Sequence, residues 1–119
     1  MPKMTWDSHR YAVDVMTREI AVDLQRMRQH SLTNGTADMD GWTLRKDKYV
    51  IMQRYTVHKT RIYPKGITIP TGKNGRKDFT FDGKGRPQSD MELTVASSGA
   101  QPYEKKIIVA AQTGRIRIE

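Results

Sequence analysis

From Asp7 to Leu32 the chain contains neither Gly nor Pro, and Trp6, His9, Val13, Met16, Ile20, Leu24, Met27 and Ser31 recur at spacings of three and four. That spacing puts them on one face of an α-helix. At 1.5 Å per residue the helix over 7–32 would run roughly 39 Å, longer than a usual globular helix, so everything else must pack along a rod. Asp7 or Ser8 is placed to cap its start, and Asn34-Gly35 to end it. The opposite face carries Tyr11, Val15 and Val22 at spacings of four and seven. A helix apolar on two faces calls for two partners, its own sheet and neighbouring subunits, whereas three scattered apolar side chains on a surface call for none. Both readings stand at this level.

After residue 40 the grammar changes to short β-rich runs between turn residues. Strands are expected at Trp42–Arg45, Tyr49–Tyr55, Ile67–Ile69, Phe79–Phe81, Met91–Val95, Lys106–Ala110 and Arg115–Ile118. Met91-Glu92-Leu93-Thr94-Val95 alternates strictly, as a half-solvated antiparallel strand does. Asp82-Gly83, Ser98-Gly99 and Thr113-Gly114 are the turn signals, the last closing a C-terminal hairpin. A helix followed by strands, with no βαβ alternation, is an α+β pattern: a long N-terminal amphipathic helix packed on an antiparallel β-sheet. Residues 1–119 are expected to form a single domain, with the helix at about 7–32 and a β-meander at about 42–118.

Hydrophobic residues at 36% and charged ones at 29% fit a folded domain with a heavily solvated surface. The absence of cysteine excludes disulfides, thiolate metal sites and a cysteine nucleophile. The longest apolar run, Ile107 to Ala111, is far short of the roughly 18 residues of a membrane-spanning helix, so the chain as given is expected to be soluble. Met1 to Asp7 has no apolar stretch of the signal-peptide kind. His9, His30 and His58 have no carboxylate or second His at metal-ligand spacing, and Gly72-Lys73 and Gly83-Lys84 lack the flanking residues of a phosphate-binding loop. No catalytic group, no metal and no cofactor is therefore expected, and the chain reads as a non-enzyme.

The net charge of +8 is unevenly spread: residues 45–86 carry twelve Lys/Arg against three Asp/Glu, while 1–32 and 87–119 are close to balanced. Such a block attracts polyanions generally. At the end of the chain stands Gly114-Arg115-Ile116-Arg117-Ile118. On a strand, Arg115 and Arg117 project from one face and Ile116 and Ile118 from the other. Two anchored guanidinium forks a few Å apart suit successive phosphates, although any solvent-facing strand can carry two arginines. Lys105 and Lys106 on the preceding strand, and Lys73, Arg76 and Lys77 in the glycine-rich loop, extend this positive surface if the fold brings them together.

Three stretches together resemble the minor pilins and pseudopilins of the GspH/FimT family. They are Arg18 to Gln29 running on to Asn34-Gly35, then Phe79-Thr80-Phe81-Asp82-Gly83-Lys84-Gly85-Arg86-Pro87, then Lys105 to Ala110 with Thr113-Gly114-Arg115-Ile116-Arg117. The resemblance implies a subunit of a type IV pilus-like filament serving secretion, pilus assembly or competence, in the cell envelope or on the surface of a bacterium. It implies other pilins or pseudopilins as partners, with Tyr11, Val15 and Val22 packing in the filament. The family's N-terminal cleavage motif and apolar anchor have no counterpart here, so the native form is expected to be membrane-anchored through a helix preceding Pro2. DNA-uptake members carry a Gly-Arg-x-Arg signature, which Gly114-Arg115-Ile116-Arg117 matches, and this implies phosphate contacts to double-stranded DNA through Gly114, Arg115, Arg117 and the neighbouring basic residues. The alternative from the residues alone is a free-standing basic nucleic-acid-binding module without a filament role.

Overall fold

The computed structural model describes residues 5–34, 40–53, 56–71, 75–81, 84–87, 91–97 and 103–119. Helix α1 runs Thr5–Asn34, two residues beyond the expected span at each end. Asp7 and Ser8 consequently lie within the helix and not at its cap. Thirty residues at 1.5 Å make about 45 Å, which accounts for the 50 Å long axis of the molecule.

Eight strands follow: β1 Asp40–Arg45, β2 Lys48–Gln53, β3 Thr56–Ile62, β4 Ile67–Thr68, β5 Arg76–Phe79, β6 Met91–Ser97, β7 Glu104–Val109 and β8 Ile116–Ile118. They form two four-stranded antiparallel sheets, ordered β3-β2-β1-β5 and β4-β6-β7-β8. The α+β class with an N-terminal helix on antiparallel strands is thus observed, but the one sheet of the sequence reading is two. The meander holds within β1-β2-β3 and within β6-β7-β8. Between them the chain crosses to the second sheet for β4 and returns for β5, which pairs with β1 from Trp42↔Phe79 to Arg45↔Arg76.

Two strands differ from expectation for a physical reason. β3 has nearly every side chain exposed or half-exposed, so it lacks the buried alternation that marks a strand in a sequence. β5 lies at Arg76–Phe79, earlier than the expected Phe79–Phe81, because an edge strand tolerates charged residues; Phe81 makes only an isolated bridge to Pro87. The turn signals at 82–83 and 98–99, the glycine at 35 and the end of the expected strand at 54–55 lie outside the described residues.

The expected inner face of the helix is the buried one: Val13, Met16, Ile20, Leu24, Met27 and Ser31 are all inaccessible or nearly so. It lies chiefly on β6, β7 and β8, and more lightly on β1 and β4. Leu93, Val95, Ile107 and Val109 from the second sheet and Trp42, Leu44, Tyr49 and Ile51 from the first complete one hydrophobic cluster. Each fully buried side chain of this kind contributes roughly 1.5–3 kcal/mol, which ties both sheets to a single helix face. Thr17, buried mid-helix, satisfies its hydroxyl by donating to the Val13 carbonyl at 2.6 Å.

Candidate functional site

The C-terminal hairpin turns through residues 110–115. Gly114 N–H donates to the Ala110 carbonyl at 2.7 Å, and Ala110 N–H to the Arg115 carbonyl at 3.0 Å. Gly114 is buried with φ 73°, and a Cβ there would overlap the Gly85 carbonyl oxygen. Gly85, φ 74°, is itself pressed against Leu32 and Arg28. These two glycines let the loop 84–87 lie between the helix end and the hairpin turn. Arg28 fastens the junction, donating from Nε to the Gly85 carbonyl and from Nη2 to the Thr113 carbonyl, both at 3.1 Å. Gly114 of the Gly-Arg-x-Arg stretch is therefore buried in the packing of the turn against Gly85. The same junction brings Lys84 and Arg86, which flank Gly85, to the turn that carries Arg115. Neither belongs to the basic set expected from sequence, since nothing local to residues 84–86 announces that they meet the chain terminus.

Arg115 and Arg117 do share a face. Both line a shallow depression of about 400 Å³ with Met91, Glu92, Ile108 and Ala110, while Ile116 turns inward onto the core. The face is of mixed sign. Arg117 pairs with Glu119 at 2.9 Å, Lys106 pairs with Glu92 at 3.3 Å, and Lys77 donates to the Glu92 carbonyl at 3.4 Å. The Arg115 guanidinium has no such partner among the described residues. Lys105 does not join this surface: alternation turns it to the helix side, where it pairs with Asp14 at 3.3 Å. Lys73 and the side chain of Arg76 lie outside the described residues.

On the helix's outer face Tyr11, Val15 and Val22 are 71%, 36% and 48% exposed, and Leu32, outside the set expected from sequence, joins them at 43%. All four fall on a stripe of period 3.5, with Tyr11 and Leu32 three seven-residue repeats apart and Val15 and Val22 one. Beside it an open groove of about 700 Å³ separates the helix from the hairpin, lined by Val22, Gln25, Arg26, Gln29, Arg115 and Ile116 among others.

The helix is also clamped to the first sheet by charge. Tyr49 donates its hydroxyl toward Asp23 at 2.7 Å and lies 3.0 Å from Glu19; Lys59 bridges the same carboxylates at 2.7 and 3.0 Å, and Arg61 reaches Glu19 at 3.1 Å. Burial alone would raise the Glu19 carboxyl, but hydrogen bonds from Lys59 and Tyr49 and the charges of Lys59 and Arg61 hold it below its usual range. Burial would lower Lys59, yet the two carboxylates keep it above the usual amine value. Tyr49 is pushed up, first by burial and then by Asp23 and Glu19, so it acts only as a donor. Among the described residues no group of three or more His, Asp or Glu is disposed to hold a metal ion, and no helix is long and apolar enough to cross a membrane.

No protein-family model matches the chain, and no curated protein is similar enough in sequence to match it. Among solved structures, the crystal structure of the type IV minor pilin FimU from Pseudomonas aeruginosa PAO1 is similar in fold, with a TM-score of 0.64 and 14% sequence identity. The similarity covers 99% of this chain and 92% of that one, so it includes the helix, both sheets and their connections. At that identity the likeness is one of fold: this chain has a pilin-like fold.

Proposed function

We propose that this chain is a subunit of a type IV pilus-like filament, a minor pilin or pseudopilin whose strands pack on one face of its helix while the other face meets neighbouring subunits. The observation that carries the reading is the exposed stripe Tyr11, Val15, Val22 and Leu32 along a 30-residue helix of pilin-like fold. A period of 3.5 is the geometry by which long helices pack against one another. In this reading residues 1–119 are one domain, the partners are other pilins or pseudopilins, the native form is membrane-anchored, and the protein belongs to the bacterial envelope or surface. It is a structural protein with no catalytic role and no cofactor.

The test is incorporation. In the membrane-anchored form, Val15→Asp/Val22→Asp is expected to abolish recovery of the protein in sheared filament preparations while the circular dichroism of the soluble domain is unchanged. Normal incorporation of the double variant would overturn the filament reading.

A second task, capture of double-stranded DNA, is favoured by one observation: Arg115 stands at the hairpin beside the locked loop carrying Lys84 and Arg86. Contacts there would be to phosphates, so binding would be weak in sequence preference and salt-dependent. Fluorescence anisotropy of duplex DNA over a salt series is expected to show weaker binding and a shallower slope for Arg115→Ala/Arg117→Ala. Equal binding by both proteins removes this task and leaves the filament role intact. A free-standing nucleic-acid-binding module would give the DNA result with no response to the helix variant.

A further inference from the structure

Strand β8 is the outer strand of its sheet, and its register fixes which main-chain groups face outward. Glu119 and Lys106 exchange both of their hydrogen bonds, at 2.8 and 3.0 Å, and Ala110 N–H donates to the Arg115 carbonyl at 3.0 Å. Bonded and unbonded residues alternate along an antiparallel ladder, so Arg115, Arg117 and Glu119 turn their main-chain groups to β7. Ile116 and Ile118, between them, turn their N–H and C=O groups to the free edge. Among the described residues no bond occupies those outward groups. An open strand edge of this kind is a template for one more strand.

The groove of about 700 Å³ between the helix and the hairpin begins at this edge, with Ile116 in one wall and Val22 in the other. Its volume is about twenty times the share of one water molecule in the liquid, room for several residues of an extended chain. Arg28 spans from the helix to the Thr113 carbonyl at 3.1 Å and so holds the two walls in place. The lining is cationic: Arg26, Arg28 and Arg115 stand in it and, among the described residues, no carboxylate does. Arg28 is engaged by two neutral carbonyls, which leave its charge uncompensated, and Arg26 and Arg115 have no acidic partner among the described residues. We propose that this groove takes an extended acidic segment of another protein, which pairs with the β8 edge as a fifth strand of the sheet while its carboxylates meet Arg26 and Arg115.

The unpaired edge and the charges together select this occupant. A phosphate backbone has acceptors but no N–H donors, so it would leave the outward carbonyls of Ile116 and Ile118 unpaired, whereas a polypeptide supplies donors and acceptors both. A second copy of the chain is unsuited: at +8 the copies repel one another, and Asp14, Glu19, Asp23, Glu92 and Glu119 are already ion-paired internally. The period of two along the incoming strand sorts its side chains, alternate ones to the arginines and the rest over Val22 and Ile116. Val22 belongs both to this groove and to the outer helix stripe, so the two contacts are continuous. That the segment comes from a different subunit of the filament rests on the filament reading; the pairing chemistry does not.

The experiment is an NMR titration of this chain with a blocked hexapeptide of alternating Glu and Val, read by backbone amide shifts and by hydrogen exchange at Ile116 and Ile118. The expected result is saturable binding, with exchange of those two amides slowed roughly tenfold when the peptide stands at about ten times its Kd. Arg26→Gln and Arg115→Gln, both at exposed positions, should each weaken binding roughly two- to fivefold, while Arg18→Gln does not. A peptide of alternating Lys and Val should not bind. Shifts that grow without saturation, unchanged exchange at Ile116 and Ile118, or equal affinity in the Arg26→Gln/Arg115→Gln double variant would each overturn the proposal. So would slowing of the same amides by a short DNA duplex, which would put a polynucleotide in the groove, or by concentrating the protein alone, which would put a second copy there. Unchanged helix circular dichroism in the variants separates loss of the site from loss of the fold. Failure of the peptide to bind while Val15→Asp/Val22→Asp still blocks incorporation removes the groove and leaves the filament reading; binding beside normal incorporation removes the filament reading and leaves the groove.

Discussion

Asp23 and Glu19 sit one helical turn apart on α1, and the strands opposite supply a tyrosine, a lysine and an arginine that meet them. Because the Glu19 carboxyl is held below its ordinary value of 4.5, its contribution to stability is present above that pH and is lost as pH falls through the lower, folded-state value. Lys59 has the opposite sign: held above 10.5, it stabilises below that pH and the contribution is lost as pH rises past the folded-state value. Urea unfolding of Glu19→Gln should therefore show a deficit against the parent at neutral pH that narrows once the pH drops below 4.5; a deficit constant down to acid pH would mean the clamp is not electrostatic. None of this is legible in the sequence, where Glu19 and Asp23 read as polar positions in an apolar pattern and β3 carries no strand signature. Lys105 is the converse case. Period-two alternation already requires Lys105 and Lys106 to point to opposite faces, but which face carries the helix depends on a strand order that no local pattern encodes.

At the scale of elements, the helix is legible almost in full, because a 3.6-residue period over 26 positions is a strong signal and tertiary packing uses that face without exception among its described side chains. The two helix faces should respond differently to substitution. Leu24 is wholly buried in the cluster beneath the helix, and Leu24→Ala should cost about 2–5 kcal/mol from the lost transfer free energy and the cavity left behind. Val22, half-exposed on the outer stripe, should change the stability of the isolated domain by no more than about 0.5 kcal/mol when replaced by Asp. Denaturation midpoints at fixed slope check both, and a large penalty for Val22→Asp in the isolated domain would show that the outer face already packs on something within the chain. Among the strands, β6 and β7 are readable because one face is dry and the other wet. β3 is not, since its inward side chains are Lys59 and Arg61, held by ion pairs instead of apolar packing. The division into two sheets follows from β4 and β5 changing places, a long-range pairing choice to which short edge strands contribute little sequence signal.

For the whole molecule, the net charge of +8 overstates the positive surface at the hairpin, because folding neutralises part of it locally. Lys59 and Arg61 are drawn to the helix carboxylates, Lys105 to Asp14, Lys106 to Glu92 and Arg117 to Glu119. Folding also brings the loop 84–87 to the turn that presents Arg115, fastened there by Arg28. The DNA-capture reading thus makes unequal demands on residues that look equivalent in the sequence. Removing one phosphate-binding group should reduce the slope of log K against log salt by about 0.9 for duplex DNA. Arg115→Ala is expected to give close to that full reduction, because its guanidinium is already available. Arg117→Ala should give less, since the parent arginine must leave Glu119 before it can meet a phosphate. Lys105→Ala should leave the slope unchanged and register only in unfolding, through loss of its ion pair with Asp14. If Lys105→Ala lowered the slope as much as Arg115→Ala, the polyanion would have to reach the helix side of the sheet, and the hairpin face would not be where DNA is held.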